Sequence, residues 1–274
     1  MNISEQQIRG IVQRVLNEVS PDADPQGRPG NDLSQTLSHG GMGSFSDCDS
    51  AVREALKAHH ALNDLGLKKR EDIITAIRHR ARKEIDYLSR LAVQETELGN
   101  VTDKAKKNLL AISRTPGPEI LRSLSQSDDD GLMIVERAAY GVIGSITPCT
   151  NPSETIFNNS IGMIAGGNSV VFNPHPTAKK TSSETVRILN EAILSAGGPA
   201  NLVCTIAEPT IQSAQELMKH KDIRLLVVTG GPAVVEVAMN SGKKVIAAGP
   251  GNPPVIVDET ADLCKAGKGI VDGA

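Results

Sequence analysis

The sequence predicts an α/β protein: a parallel sheet with helices on both faces, preceded by an amphipathic helix and a linker. Three observations predict it. Short apolar runs, "GVIGSIT", "SVVFN", "NLVCTIA", "IRLLVVTG" and "KKVIAAG", recur along the second half of the chain. Segments with helical spacing separate them. The runs are continuous rather than alternating, as expected of strands buried on both faces.

The elements follow in order. Ile8, Ile11, Val12, Val15, Leu16 and Val19 recur at helical spacing, and Ser4 with Gln7 supplies a capping-box start, so residues 1–19 form a first amphipathic unit. Residues 20–44 are rich in Pro, Gly, Ser and Asp and form a flexible linker. A short helix on such a tether either docks on a partner or packs on its own body. From Phe45 the globular part begins. "SDCDSAVREALKAHHAL" is a helix capped by Asp47. "KKREDIITAIRHRARKEIDYLSRLAVQETELG" predicts one long helix, with Ile73, Ile77, Ala81, Ile85, Leu88 and Leu91 along one side and Gly99 at its end. A third helix runs near Thr102 to Ile112. "LMIVERAA" is an extended, pair-forming strand. The βα units follow, with helices in "SETIFNNSIGMIAGG", "AKKTSSETVRILNEAILSAGG", "TIQSAQELMKH" and "PAVVEVAMNSG".

Composition excludes several classes. Net charge is −3 over 274 residues, which argues against nucleic-acid binding or a membrane surface driven by bulk charge. No apolar run approaches a membrane span. Cys48, Cys149, Cys204 and Cys264 lie far apart without metal-ligand spacing and read as thiols of a reducing compartment. With aromatics at 2%, Val, Ile, Leu and Ala must fill the core.

In an open parallel sheet, ligands bind at the carboxyl ends of the strands. Four loops stand there: "TPCTNP", "FNPHP", "AEPT" and "TGGP". Their small residues admit a ligand to the backbone, and the helix starts that follow offer free N–H groups to a phosphate. A nucleotide site is expected, although no G-x-G-x-x-G occurs.

The segments "TPCTNPSETIFNN", "NSVVFNPHPTAKK", "LVVTGGPAVVEVAM", "SGKKVIAAGPGNPPVIVDETADL" and "GIVDGA" together resemble the aldehyde dehydrogenase superfamily, in its coenzyme A-acylating branch. The likeness is nearest to the propionaldehyde enzymes of propanediol-degrading bacterial microcompartments, with ethanolamine-pathway acetaldehyde enzymes next. It covers Phe45 to Ala274. The resemblance implies a Rossmann-like cofactor domain over residues 45–256 that binds NAD without the glycine fingerprint. It also implies the start of an incomplete catalytic domain over residues 257–274. The family's nucleophilic cysteine is then expected shortly beyond "GIVDGA", outside the 274 residues.

The resemblance also implies roles. Asn151 matches the asparagine whose amide steadies the oxyanion on the substrate carbonyl; without it, the same residue would simply shape an Asx turn. Thr147 and Pro148 belong to the same turn. Cys149 stands where hydrolytic relatives carry a bulky aromatic, so it is a cleft-wall residue and not the nucleophile. Asn173 and His175 occupy the loop where hydrolytic relatives place a ribose-binding lysine. Thr229, Gly230, Gly231 and Pro232 match the loop near the pyrophosphate and nicotinamide, and Gly249 and Pro250 the segment approaching the nicotinamide. Ala248 replaces the glutamate with which hydrolytic relatives activate water, so the acyl group is left for a thiol such as coenzyme A. The expected reaction joins a short aliphatic aldehyde, coenzyme A and NAD. A homo-oligomer inside a microcompartment of the bacterial cytoplasm is the expected setting. A non-catalytic nucleotide-binding or assembly subunit is the competing class.

The N-terminal stripe is expected to dock in a groove of a shell protein. Burial there would gain roughly 1.5–3 kcal/mol per fully buried aliphatic side chain, less the cost of ordering the helix. The polar face lacks the Lys/Arg excess of a membrane helix. Residues 1–19 fused to a fluorescent protein should therefore concentrate in shells in shell-expressing cells. Ile11→Glu or Leu16→Glu should leave the fluorescence diffuse. Diffuse fluorescence from the unaltered fusion would return the helix to ordinary packing.

Overall fold

The computed structural model describes residues 42–249, 251 and 254–273, all within the unit Ser38–Ala274. The N-terminal helix, nearly all of the linker and Pro250 lie outside the described residues. The elements run β1 (Ser44–Phe45), α1 (Cys48–Asn63), α2 (Gly66–Lys83), α3 (Ile85–Thr96), α4 (Val101–Arg114), β2 (Leu124–Asp128), β3 (Gly131–Val135), β4 (Val142–Thr147), α5 (Pro152–Ala165), β5 (Ser169–Pro174), α6 (Lys179–Ser195), β6 (Val203–Ile206), α7 (Ile211–Lys219), β7 (Ile223–Thr229), α8 (Pro232–Met239), β8 (Lys244–Ala248) and α9 (Leu263–Gly273).

The main sheet has six strands in the order β1-β6-β5-β4-β7-β8, and every pairing is parallel. Each βα unit the sequence predicts is present. The chain steps outward from β4 through β5 to β6, then recrosses by α7 to pair β7 on the other side of β4. This reversal beside β4 is the topological switch point.

Strand alternation builds two cores from the same strands. Ile143, Val170, Phe172 and Val203 face one cluster, with α2, α5 and α6 packed over it. Val142, Val171, Cys204 and Ile206 face the other, beneath α1, α7 and α8. In a chain this poor in aromatics, Phe157 and Phe172 are the largest fully buried side chains. The cover is incomplete at β8, where Ile246 is 57% exposed.

Three details depart from the sequence reading. The linker does not extend to Ser44, because Ser44 already pairs with Thr205 in the sheet. Gly43 precedes it at φ +83°, wedged against Asn190 and Val203. The long helix is two helices, broken at Glu84 (φ −103°, ψ 2°). No Gly or Pro marks the break; tertiary contacts set it. Arg80 pairs with Glu84 and reaches Glu191 of α6 at 3.4 Å, while α3 turns toward α4. At the far end of α3, the Glu95 carboxylate accepts from the N–H groups of Lys180 and Thr181, each at 2.7 Å, and caps α6. Finally, "LMIVERAA" does supply a strand, but its partner β2 is the polar "LSQSD". The two form an antiparallel hairpin exposed along its whole length. Its turn is held by Asp128 Oδ1, which accepts from Asp130 N at 2.9 Å and Gly131 N at 3.1 Å.

Gly43 gives the first structural prediction. A Cβ there would lie 2.3 Å from Asn190 Nδ2 and 2.6 Å from the Val203 carbonyl, in a backbone conformation that L-residues resist. Gly43→Ala should cost about 2 kcal/mol or more of stability in urea unfolding. A change within about 0.5 kcal/mol would mean that β1 is not held as described.

Candidate active site

The carboxyl ends of β5, β4, β7 and β8 lie side by side, with Thr147 in register with Pro174 and Thr229 with Ala248. Pairing brings the loops that follow these strands to one edge of the sheet. The structure therefore assembles there most of the residues that the sequence singles out, from segments far apart in the chain.

Thr147 ends β4, is buried, and its hydroxyl finds no hydrogen-bond partner among the described residues. Pro148 and Cys149 are half-buried in the turn that follows. Asn151 is the N-cap of α5, yet its side chain makes no capping bond; Pro152 follows at N1, where its fixed φ suits the helix start. The amide makes only long contacts, 3.5 Å to Thr150 Oγ1 and 3.5 Å from Lys107 Nζ to its oxygen. Asn151 thus stands at a helix start with its amide uncommitted, which is what an oxyanion donor requires.

Asn151 and Thr229 line one open groove of about 530 Å³ between α4 and α5, together with Leu110, Arg114, Thr155 and Asn158. The α5 wall is tied in place at two points. Thr115 Oγ1 donates to Asn158 Oδ1 at 2.9 Å, and Asn159 Nδ2 donates to Ser145 Oγ of β4 at 3.0 Å.

On the β7 side, Gly231 is the exposed N-cap of α8, with Pro232 at N1. A Cβ on Gly231 would meet nothing within 4 Å, and one on Gly230 would meet only Val234, at 3.9 Å. These glycines are not demanded by packing inside the chain. They keep the mouth of the α8 N-terminus open, as a phosphate bound to backbone N–H groups needs. Gly249 is exposed just beyond β8.

Asn173 and His175 are placed differently from the other loop residues. Asn173 is buried, and its Oδ1 accepts from Ser213 Oγ at 2.6 Å, tying β5 to the first turn of α7. His175 is exposed; its Nδ1 lies 2.8 Å from Thr177 Oγ1 and caps the short 3-10 turn Pro176–Ala178. Only His175 of this pair presents a ring to solvent.

A group that sequence reasoning missed lies beneath the turn. Lys104 of α4 is 4% exposed. Its ammonium donates to the Thr150 carbonyl and stands 3.8 Å from Glu154 Oε1 in the first turn of α5. Burial lowers the Lys104 pKa, and the negative charge of Glu154 opposes that shift. In sequence, Lys104 and Glu154 read as solvated helix residues. No local signal in the sequence separates Lys104 from Lys106 and Lys107 beside it.

A nicotinamide dinucleotide fits this set. Open glycines at a helix N-terminus suit its pyrophosphate, and the buried Thr147 hydroxyl at the end of the neighbouring strand β4 has no hydrogen-bond partner among the described residues.

Comparison with known proteins agrees with the geometry. Residues 32–274 match the model of the aldehyde dehydrogenase family. The chain is 45% identical over 273 residues to the acetylating acetaldehyde dehydrogenase EutE of Salmonella typhimurium, covering 99% of this chain and 56% of that protein. It superposes with TM-score 0.82 on a propionaldehyde dehydrogenase from the Clostridium phytofermentans fucose utilisation bacterial microcompartment, at 50% identity over 85% of this chain and 53% of that one. The same TM-score, at 46% identity over 84% of this chain and 53% of the other, relates it to a Rhodopseudomonas palustris propionaldehyde dehydrogenase solved with bound CoA. The chain spans about half the length of these relatives.

The thiols can be ranked from their surroundings. Burial pushes the Cys48 thiol up to about 11 and the Cys204 thiol higher still, whereas Cys149 is half-buried and Cys264 exposed. Alkylation with iodoacetamide, followed by peptide mass spectrometry, should modify Cys264 first, Cys149 next, and Cys48 and Cys204 only on unfolding. Early labelling of Cys204 would contradict the packing of β6.

Proposed function

Because the chain belongs to the aldehyde dehydrogenase family and its relatives are acylating members, we propose that it carries the cofactor half of an enzyme converting a short aliphatic aldehyde, propionaldehyde foremost, to its acyl-coenzyme A. The observation that carries this reading is the register of β7 with β8. It sets Ala248 beside Thr229 at the crevice, where the resemblance expects a water-activating glutamate in hydrolytic members. A methyl group accepts no proton, so water there goes unactivated and a thiol can take the acyl group.

The residues divide the work. The uncommitted Asn151 amide donates to the carbonyl oxygen as negative charge develops on it. The α4–α5 groove admits the aldehyde toward Asn151. Gly230 and Gly231 at the α8 N-terminus hold the pyrophosphate of NAD, and Thr147, Pro148, Gly249 and Pro250 belong to the bed beneath the nicotinamide. NAD, when bound, supplies the hydride acceptor. Coenzyme A enters as co-substrate, and His175, the exposed member of its loop, is placed to meet a ribose or a phosphate. Acetaldehyde is the second candidate substrate, since EutE is an acetaldehyde dehydrogenase. Packaging in a microcompartment through residues 1–19, and assembly as a homo-oligomer, complete the proposal.

Calorimetry with NAD tests it. The folded chain should bind NAD, and Gly231→Val should weaken binding at least about tenfold without loss of stability, since the added side chain meets nothing within 4 Å of its Cβ. Equal affinity in the variant would remove the pyrophosphate from this loop. None of the four cysteines is placed as an aldehyde-attacking thiolate. The chain assayed alone with propionaldehyde, coenzyme A and NAD should therefore form no NADH. Turnover abolished by Cys149→Ser would assign that residue the nucleophile's part.

A further inference from the structure

We propose that Lys104 is a positioning residue: through its ammonium it clamps the Cys149–Asn151 turn and so sets where the Asn151 amide points. The inference rests on the reading of Asn151 as oxyanion donor, but its own content is the clamp. Three observations support it.

The first is cost. A lysine that is 4% exposed has given up hydration, and its lowered pKa records the penalty. Its Glu154 partner sits at 3.8 Å, beyond hydrogen-bond reach, and Glu154 Oε1 has no hydrogen-bond partner among the described residues. A buried pair with such geometry is a poor source of stability, since apolar residues of similar size would serve the core as well.

The second is the bond it does make. Lys104 Nζ donates to the Thr150 carbonyl, the peptide group immediately before Asn151. Fixing that carbonyl fixes the peptide plane from which Asn151 departs. Among the described residues no other group donates to that carbonyl.

The third is arrangement. Lys104 and Lys107 lie one turn apart on α4 and address consecutive residues, the Thr150 carbonyl and the Asn151 side-chain oxygen. The Lys107 approach, at 3.5 Å, is a long contact, so the side chain stays free to donate while the backbone before it is fixed. One helix thereby holds the backbone of the donor and flanks its side chain.

The test uses the native thiol beside the clamp. Cys149 labelling by iodoacetamide and backbone hydrogen exchange at residues 149–151 are measured in the full 274-residue chain, in Lys104→Met and in Lys104→Met/Glu154→Leu. The double variant removes the unpaired carboxylate and keeps the fold if the single change weakens it. In the folded variants, Cys149 labelling and turn exchange should rise at least about tenfold, as expected for loss of a charge-assisted hydrogen bond. Exchange in β7 and at Gly230–Gly231, and protection of Cys48 and Cys204, should stay as in the parent. That split separates positioning from general loosening. Wild-type labelling of Cys149 in the folded double variant would overturn the clamp, and so would a rise spread equally over β7 and the buried thiols. Asn151→Ala should leave Cys149 labelling unchanged. Failure of Asn151 to act as an oxyanion donor would thus show in turnover of a complete enzyme and not in these measurements.

Discussion

The structure hangs on the double pairing of β4. Its backbone is hydrogen-bonded to β5 on one side and β7 on the other, and all six of its residues are buried. Every peptide group of such a strand must be satisfied by its neighbours, because no water reaches it. That demand forces the chain to leave β4 in one direction and return on the other. Where the two directions part, the helices that follow β4 and β7 cannot close over the sheet edge, and a crevice remains. Asn151 and Thr229, 78 positions apart in the sequence, line one groove because of it. The site is a by-product of backbone satisfaction, which side chains then specialise.

Specialisation runs through the helix starts. α5 and α8 both begin with Pro at N1 and lack a side-chain cap, so their first turns are left open toward the crevice. α7, by contrast, closes its own start with a capping box between Thr210 and Ser213, and α6 borrows Glu95. The helices next to the switch point keep free donors, and those farther along the sheet spend theirs. This contrast separates loops with open helix starts from loops with closed ones, which their composition does not, for all four draw on Gly, Pro, Asn or Thr.

Much of the fold was legible because its signals are local. Continuous apolar runs such as "IRLLVVTG" mark strands, and Asp47 caps α1 as its sequence position suggests, accepting from Ser50 N at 2.8 Å. What escaped was set at a distance. The break at Glu84 depends on Arg80 meeting α6, and no residue in "RHRARKEIDYL" announces it. β2 is too polar to read as a strand without its partner. The resemblance puts Asn173 in a ribose-binding loop; its engagement by Ser213, 40 positions on, is invisible to any sequence window. Lys104 escaped for the most general reason: a helical pattern assigns lysine to solvent, and only the tertiary fold can show a carbonyl waiting for it.

The two edges of the main sheet are unequal. β1 contributes two residues, while β8 contributes five, largely exposed and with no further strand beside it among the described residues. A two-residue edge is a poor template for another chain, whereas a five-residue edge is a usable one. Among the described residues, then, this sheet offers one edge, that of β8, on which a further strand of this or another chain can be laid.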